Sequence, residues 1–289
     1  MKTLLVILAH PDDESFGPGA TLAKYAQTGV AVHYLCGTRG ESGTVDAEKL
    51  NGYKDVAELR TAELTCAAKE LGLAGIHFLG YRDSGMVGSE DNQRSDSLHA
   101  AGLDEVAERI VGYMDQLKPD VILTHDQFGG YGHPDHIKLH YAVLRAYELK
   151  YGIYLQPAKD GQMEYAAKTA RDVANAPPIY FPIFPKGLVK FGVKIMPWLR
   201  QDPTKFGRNK DINLVQIASW DVPVTCKIDA VAWREVKTRA SACHASQQGG
   251  QPPFIIRMIF RRQSKYDFFA RAYPPVARGT ENEKDLFGD

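Results

Sequence analysis

Short apolar runs punctuate the first half of the chain at Thr3–Ala9, Val30–Cys36, Ile76–Leu79 and Val121–Thr124, and a stretch of helical period follows each one. Runs this short predict strands buried on both faces, and their alternation with helices predicts a parallel sheet covered on both sides. The helices have readable boundaries. Over Val56–Leu71, Val56, Leu59, Cys66, Ala67 and Leu71 fall roughly on one face, and Gly72 stands where a left-handed residue ends a helix. Over Asp104–Leu117, Val106, Ile110, Met114 and Leu117 form a stripe, and Pro119 closes the segment before the next strand. The helix after the first strand is expected to end at Gly29.

Beyond about Tyr151 the rhythm changes. Gln156–Asn213 brings several prolines, a polar stretch and then IYFPIFPKGLVKFGVKIMPWLRQ at 179–201, which breaks the alternation and reads as a cap or insertion folded onto the sheet. In that segment Tyr180, Phe181, Phe184, Phe191 and Trp198 interleave with Lys186, Lys190, Lys194 and Arg200, as in a membrane-surface helix. Pro182, Pro185, Gly187, Gly192 and Pro197 interrupt any long amphipathic helix, so a cap or a homo-oligomer contact is expected there in preference to membrane binding. Val222–Ile228 restores a strand, and Asp229–Gln248 reads as a helix with Val231, Val236 and Ala240 inward. The polar, acidic tail Thr280–Asp289 is expected to fray. The expected fold is α/β: a Rossmann-like, mostly parallel sheet with helices on both faces. Its core would span residues 1–155, its cap 156–213, and a strand–helix region over 214–289 would complete the core.

Composition narrows the function class. At 44% hydrophobic and 24% charged residues the chain is neither disordered nor fibrous, and 289 residues suit a single large α/β core. Thirty-five basic against 35 acidic residues leave no excess charge for a nucleic-acid backbone. The cysteines, Cys36, Cys66, Cys226 and Cys243, form no CxxC pair, which argues against a thiolate zinc site and reads as reduced thiols of a cytoplasmic protein. The apolar start MKTLLVILA is directly followed by HPDDE rather than a small-residue cleavage site, so it reads as a first strand, and no later stretch is long and uncharged enough to span a membrane.

In a parallel α/β sheet the chemistry collects past the carboxyl ends of the strands. The first strand ends in His10-Pro11-Asp12-Asp13-Glu14. The fourth ends in Thr124-His125-Asp126, and a glycine-rich loop (Gly129, Gly130, Tyr131, Gly132) then leads to His133-Pro134-Asp135-His136. Pro134 suits a first helical turn, which would turn His136 back toward that loop. Two histidines and a carboxylate match the three protein ligands of a catalytic zinc that keeps one position open. Taken singly, HPDDE could be a turn capping a helix, and HxxH on a helix is a weak signal.

The chain resembles the LmbE/PIG-L-like de-N-acetylases. The resemblance rests on AHPDDES at 9–15, RTAEL at 60–64 followed by LG, FLGYRDSGM at 78–86 and GGYGHPDH at 129–136, in that order over about half the chain. YRDSGM and GGYGHPDH are most similar to the branch acting on N-acetylglucosaminyl-inositol and mycothiol-type sugar thiols. The resemblance implies His10, Asp13 and His136 as ligands of Zn2+, with Fe2+ as the other candidate, and Asp12 as general base. His133, oriented by Asp135, would be the acid for the departing amine, and Tyr131 would add an oxyanion hydrogen bond. Arg60 and Asp83 match positions that contact the sugar or its aglycone, with Glu41 a third candidate. The implied substrate is a small N-acetylated amino sugar. An amidase of sugar-thiol conjugates would need the same groups, and a non-catalytic sugar-binding module would need neither the base nor the acid.

Outside these motifs, His125 and Asp126 read as supporting residues, and His140, one turn after His136, as packed. His244 with Ser246 and Gln247 (HASQ) resembles a family helix motif that could approach the site. His33, His77 and His99 read as structural or exposed. GTRGESG at 37–43 follows the second strand and lacks the Lys-Ser/Thr of a phosphate loop, which argues against a nucleotide.

Overall fold

Strand β1 (Thr3–Leu8) is apolar from Leu4 to Leu8 because both of its faces are covered there. In the computed structural model Leu5 and Ile7 join the core on one side, while Leu4, Val6 and Leu8 join the core on the other, all essentially without solvent exposure. The structure describes residues 1–158, 163–167, 170–184, 186–207, 210–247, 265–276, 279 and 283–288. β2 (Ala31–Cys36), β3 (Gly75–Phe78) and β4 (Val121–Thr124) run parallel to β1, as the apolar runs predict. β7 (Ile179–Ile183), β8 (Cys226–Asp229) and β9 (Tyr266–Tyr273) complete a seven-stranded sheet of order β3-β2-β1-β4-β7-β9-β8, in which β9 is antiparallel to both neighbours. A separate hairpin pairs β5 (Ile153–Pro157) with β6 (Met163–Ala167).

The helices in chain order are α1 (Asp13–Phe16), α2 (Gly19–Gln27), α3 (Val56–Leu71), α4 (Leu103–Leu117), α5 (Gly129–Gly132), α6 (Pro134–Tyr151), α7 (Ala170–Asn175), α8 (Lys186–Ile195), α9 (Leu214–Ser219) and α10 (Arg234–Cys243). α4 and α6 cover one face through Val106, Ile110, Met114, Leu139, Val143 and Tyr147. α2 and α3 cover the other through Leu22, Tyr25 and Leu64, and α10 packs on both through Val236 and Ala240. α3 starts with Asp55 accepting the Glu58 N–H at 2.9 Å and stops at Gly72, which is left-handed at φ 76°.

Four expectations change. The region 156–213 is not wholly an insertion: Ile179–Ile183 is a strand of the main sheet, with Tyr180 and Phe181 buried, while Phe184, Phe191 and Trp198 are exposed and Pro185 lies outside the described residues. The strand expected from Val222 begins at Cys226. Val231 is exposed in a short turn before α10, which ends at Cys243, and Gln248 lies outside the described residues. The tail is docked where it is described: Leu286 is fully buried and its N–H donates to the Tyr25 hydroxyl at 2.8 Å, while Thr280 and Asp289 lie outside the described residues.

The cysteines are the fourth. Cys66, at the surface of α3 rather than on its inner face, is disulfide-bonded to Cys243 at the end of α10, and Cys36 and Cys226 are buried free thiols. The cysteines therefore give no support to a reducing compartment. No helix among the described residues is long and apolar enough to cross a membrane. Cys66→Ala is expected to cost about 2–4 kcal/mol in denaturant unfolding, because the bond closes a very long loop. Titration of the unfolded, unreduced protein should find the thiols of Cys36 and Cys226 alone; four reactive thiols would refute the bond.

Candidate active site

The chain leaves β1 toward β2 and β3 on one side and returns to β4 on the other, so the crevice past β1 and β4 is where the strand order reverses, the usual ligand site of an open α/β sheet. The His10–Glu14 turn follows β1. His125 follows β4, and its Nε2 accepts the Ala9 N–H at 3.0 Å, tying the two strand ends together. His133 caps α6 through Nδ1, which accepts the Asp135 N–H at 3.2 Å, and Pro134 occupies the first turn. His136, one turn in, points back as expected: its Nδ1 donates to the Gly129 carbonyl at 3.1 Å, leaving Nε2 for the site. Gly129 is obligatory here, because it has φ +63° and a Cβ would stand 2.9 Å from His136 Cβ.

Three ligand atoms then form a triangle. His10 Nδ1 lies 3.1 Å from His136 Nε2 and 3.6 Å from Asp13 Oδ2, and His136 Nε2 lies 3.4 Å from the same Asp13 oxygen. A tetrahedral ion with bonds of about 2.0–2.2 Å needs donors about 3.3–3.6 Å apart. Both distances to Asp13 lie in that range and the histidine pair is slightly closer, so the residues fit the expected metal once the two rings part a little. The electrostatics agree with a cation at this point. Burial disfavours the charged Asp13, yet His136, His10 and His125 hold its carboxyl well below the usual range. Burial pushes His136 down, while the carboxylates of Asp83, Asp13 and Asp135 carry His10 up against its own burial. His133 and His125 also stand close. However, the Nε2 of His125 and the Nδ1 of His133 already accept backbone N–H groups, which leaves them poorer ligands.

His10, one corner of the triangle, also lines a cavity of about 530 Å3 together with Asp12, Arg60, Asp83, Tyr131 and His133 among others. Asp12 sits at φ 129°, and its Oδ2 accepts from Arg60 Nη2 at 2.9 Å. Burial raises its carboxyl to about 7, with Arg60 pulling the other way. Burial also keeps the Tyr131 phenol protonated, and so a donor, far above neutral pH.

A model of the family described as "PIG-L: GlcNAc-PI de-N-acetylase" matches residues 5–147. Along its length the chain is similar to a 1D-myo-inositol 2-acetamido-2-deoxy-alpha-D-glucopyranoside deacetylase of Streptomyces avermitilis, at 33% identity over 99% of this chain and 96% of the relative. The chain belongs to the PIG-L de-N-acetylase family. Among solved structures it is similar to the N,N'-diacetylchitobiose deacetylase of Pyrococcus horikoshii, with a TM-score of 0.55 at 19% identity over 93% of this chain and 83% of that one. It is also similar to GalB of Pseudomonas putida, a 4-carboxy-2-hydroxymuconate hydratase, with a TM-score of 0.54 at 18% identity over 96% and 99%. Since one of these is a hydratase, the likeness shows the fold alone, and the chemistry of this PIG-L member has to be argued from its site.

Several expected roles are redistributed. The Asp135 N–H donates to His133 Nδ1 and its charge favours a protonated His133 ring, while its carboxylate accepts from the N–H (2.9 Å) and hydroxyl of Ser84 and lies 3.3 Å from His10 Nε2, so it also orients His10. Arg60, which lines the cavity, also donates to the carbonyls of Pro11 at 2.6 Å and Gly40 at 3.0 Å, so its Nη atoms hold Asp12 and the loops beside it. Glu41 accepts the Asp83 N–H at 3.0 Å and is not among the cavity's lining residues. Asp83 does line the cavity, with Oδ1 3.5 Å from His10 Nε2. Burial alone would raise its carboxyl, but His10 and His133 hold it well below the usual carboxylate range. His140 is packed as expected, its Nδ1 donating to the His125 carbonyl.

Sequence reasoning missed the buried Glu14 and Ser84, and the lining residues Asp211 and Ile212. Glu14 and Ser84 lie inside the motifs HPDDE and YRDSGM, whereas Asp211 and Ile212 belong to no motif.

Proposed function

We propose that the protein removes the acetyl group from an N-acetylglucosamine-containing small molecule, an N-acetylglucosaminyl-inositol in first place, with Zn2+ or Fe2+ bound by His10, Asp13 and His136. The observation that carries this reading is the ion-sized triangle of these three side chains, whose His10 lines the same cavity as Asp12. The name of the Streptomyces relative supports the choice of sugar. When bound, the ion supplies Lewis-acid polarisation of the amide carbonyl and lowers the pKa of a water toward about 7.

Asp12 accepts the proton of the attacking water. Its Oδ2 is held by Arg60, which leaves Oδ1 to take that proton, and a carboxyl raised to about 7 is matched to the task near neutral pH. Tyr131 donates its hydroxyl to the oxygen that becomes negative. The departing nitrogen needs a proton, because an amide anion is too poor a leaving group. Burial, with the neighbouring His10 and His136, pushes His133 down to about 3, so its resting ring is neutral, with the hydrogen on Nε2 because Nδ1 accepts from Asp135. To serve as the acid His133 must gain a proton during turnover, and the proton at hand is the one Asp12 has accepted. Asp83, which lines the cavity beside His10, can accept from a sugar hydroxyl.

The test is to load the protein with Zn2+ or Fe2+ and supply N-acetylglucosaminyl-inositol, free N-acetylglucosamine and an amide-linked sugar-thiol conjugate. Acetate and free amine are expected in equal amounts, fastest from the inositol glycoside. Cleavage of the conjugate alone would make it an amidase, and binding without release of amine from any of them would make it a sugar-binding protein.

A further inference from the structure

We propose that Glu14 and His244 are a positioning pair that holds Asp12 in the backbone conformation the reaction needs; this rests on the reading of Asp12 as the base. Four non-glycine residues have positive φ among the described residues. Lys118, Arg200 and Lys210 lie at φ 47–59°, the ordinary left-handed region, whereas Asp12 lies at 129°. Such a conformation persists only where its surroundings over-determine it.

The bond that secures it comes from Glu14. The Asp12 N–H donates to Glu14 Oε2 at 2.9 Å, and Glu14 is fully buried. Its other oxygen accepts from the Ser15 hydroxyl at 2.5 Å and lies 2.7 Å from His244 Nε2. A buried carboxylate is tolerated when its oxygens are saturated with donors, and one of the three donors here is the Asp12 amide itself. His244 is equally buried. Its Nδ1 makes no hydrogen bond among the described residues, so the ring acts through Nε2.

His244 follows Cys243 directly, and Cys243 is bonded to Cys66 of α3. Two residues on, Ser246 grips Glu63 of α3 through both its N–H (2.7 Å) and its hydroxyl (2.6 Å). α3 also carries Arg60, which holds the Asp12 carboxylate. The middle of α3 and the joined end of α10 thus hold Asp12 twice, at the amide through His244 and Glu14 and at the carboxylate through Arg60. The amide grip sets the direction in which the carboxylate leaves the chain.

The test uses two matched polar replacements in the metal-loaded full chain. The amide nitrogen of His244→Gln can take the place of Nε2, whereas the shorter His244→Asn cannot reach Glu14. With N-acetylglucosaminyl-inositol, His244→Asn is expected to lower kcat by about tenfold or more while KM stays within about twofold, and His244→Gln is expected to restore most of the rate. In an Asp12→Ala background neither change should lower kcat further. Equal losses in both replacements, or a full additional loss without Asp12, would reduce the pair to a structural tie and overturn the proposal. Crystal structures give a readout that does not depend on the reaction: Asp12 should leave φ near 129° in His244→Asn and keep it in His244→Gln. An Asp12 unmoved in His244→Asn overturns the proposal even if no acetylated sugar is a substrate, whereas an inert wild type with a displaced Asp12 turn overturns only the functional reading.

Discussion

Replacing His136 by alanine is expected to strip metal and activity together. His136 Nε2 is one corner of the triangle, and its ring is fixed by the Nδ1 bond to the Gly129 carbonyl, so its loss removes both a proposed ligand and the partner of the glycine loop. Loss of an outer-shell partner alone commonly costs 10–100-fold in affinity, and loss of a ligand should cost more than about 100-fold. His140→Ala is the control. That ring bonds the His125 carbonyl and packs edge-on against Tyr141 beside Phe181, so metal content should stay near wild type although stability falls. His133→Ala should also keep the metal, because Nδ1 of His133 caps α6. Elemental analysis after dialysis decides: full occupancy in His136→Ala would reject the ligand set, and loss of metal in His133→Ala would move the site to the His10, His133, His136 group.

Sequence pattern reached the strands that carry the site because a strand buried on two faces must be apolar along its length; β1 and β4 were legible for that reason, and the two His/Asp clusters at their ends with them. Pattern failed at β7. Pro182 argues against a central strand, yet only Ile179 and Tyr180 of β7 pair with β4, so the proline lies beyond that ladder where its missing N–H costs no bond to β4. It failed again wherever a local reading competed with a distant partner. Arg60 and Glu63, three apart on α3, look like an exposed ion pair, but the fold sends Arg60 to Asp12 and Glu63 to Ser246, and both are buried. Asp135 reads as a partner of His133 alone, and it does bond that ring through its N–H, but the fold also turns its carboxylate to Ser84 and His10. The bond of Cys66 to Cys243, 177 residues apart, has no local signature at all.

Asp12→Ala is expected to keep the metal and lose the rate. Asp12 is adjacent to the proposed ligand Asp13, but its Oδ2 is engaged by Arg60 and none of the three triangle contacts involves it. Removing a proton acceptor of this kind costs about 10²–10⁴-fold in kcat, with KM little changed because the cavity wall otherwise stays in place. The pH profile carries the sign. A base works when deprotonated, so with a carboxyl raised by burial to about 7 the wild-type rate should fall as pH drops through about 7, and the residual rate of Asp12→Ala should lack that limb. Arg60 gives a second handle on the same group. Its positive charge favours the ionised carboxylate, so Arg60→Ala should move the acid limb to higher pH and lower kcat near neutrality, where a residue that clamped a sugar hydroxyl would raise KM instead. Metal lost from Asp12→Ala would mean that the two adjacent aspartates exchange roles, with Asp13 as base. An Arg60→Ala enzyme with an unshifted limb and a raised KM would return Arg60 to the substrate.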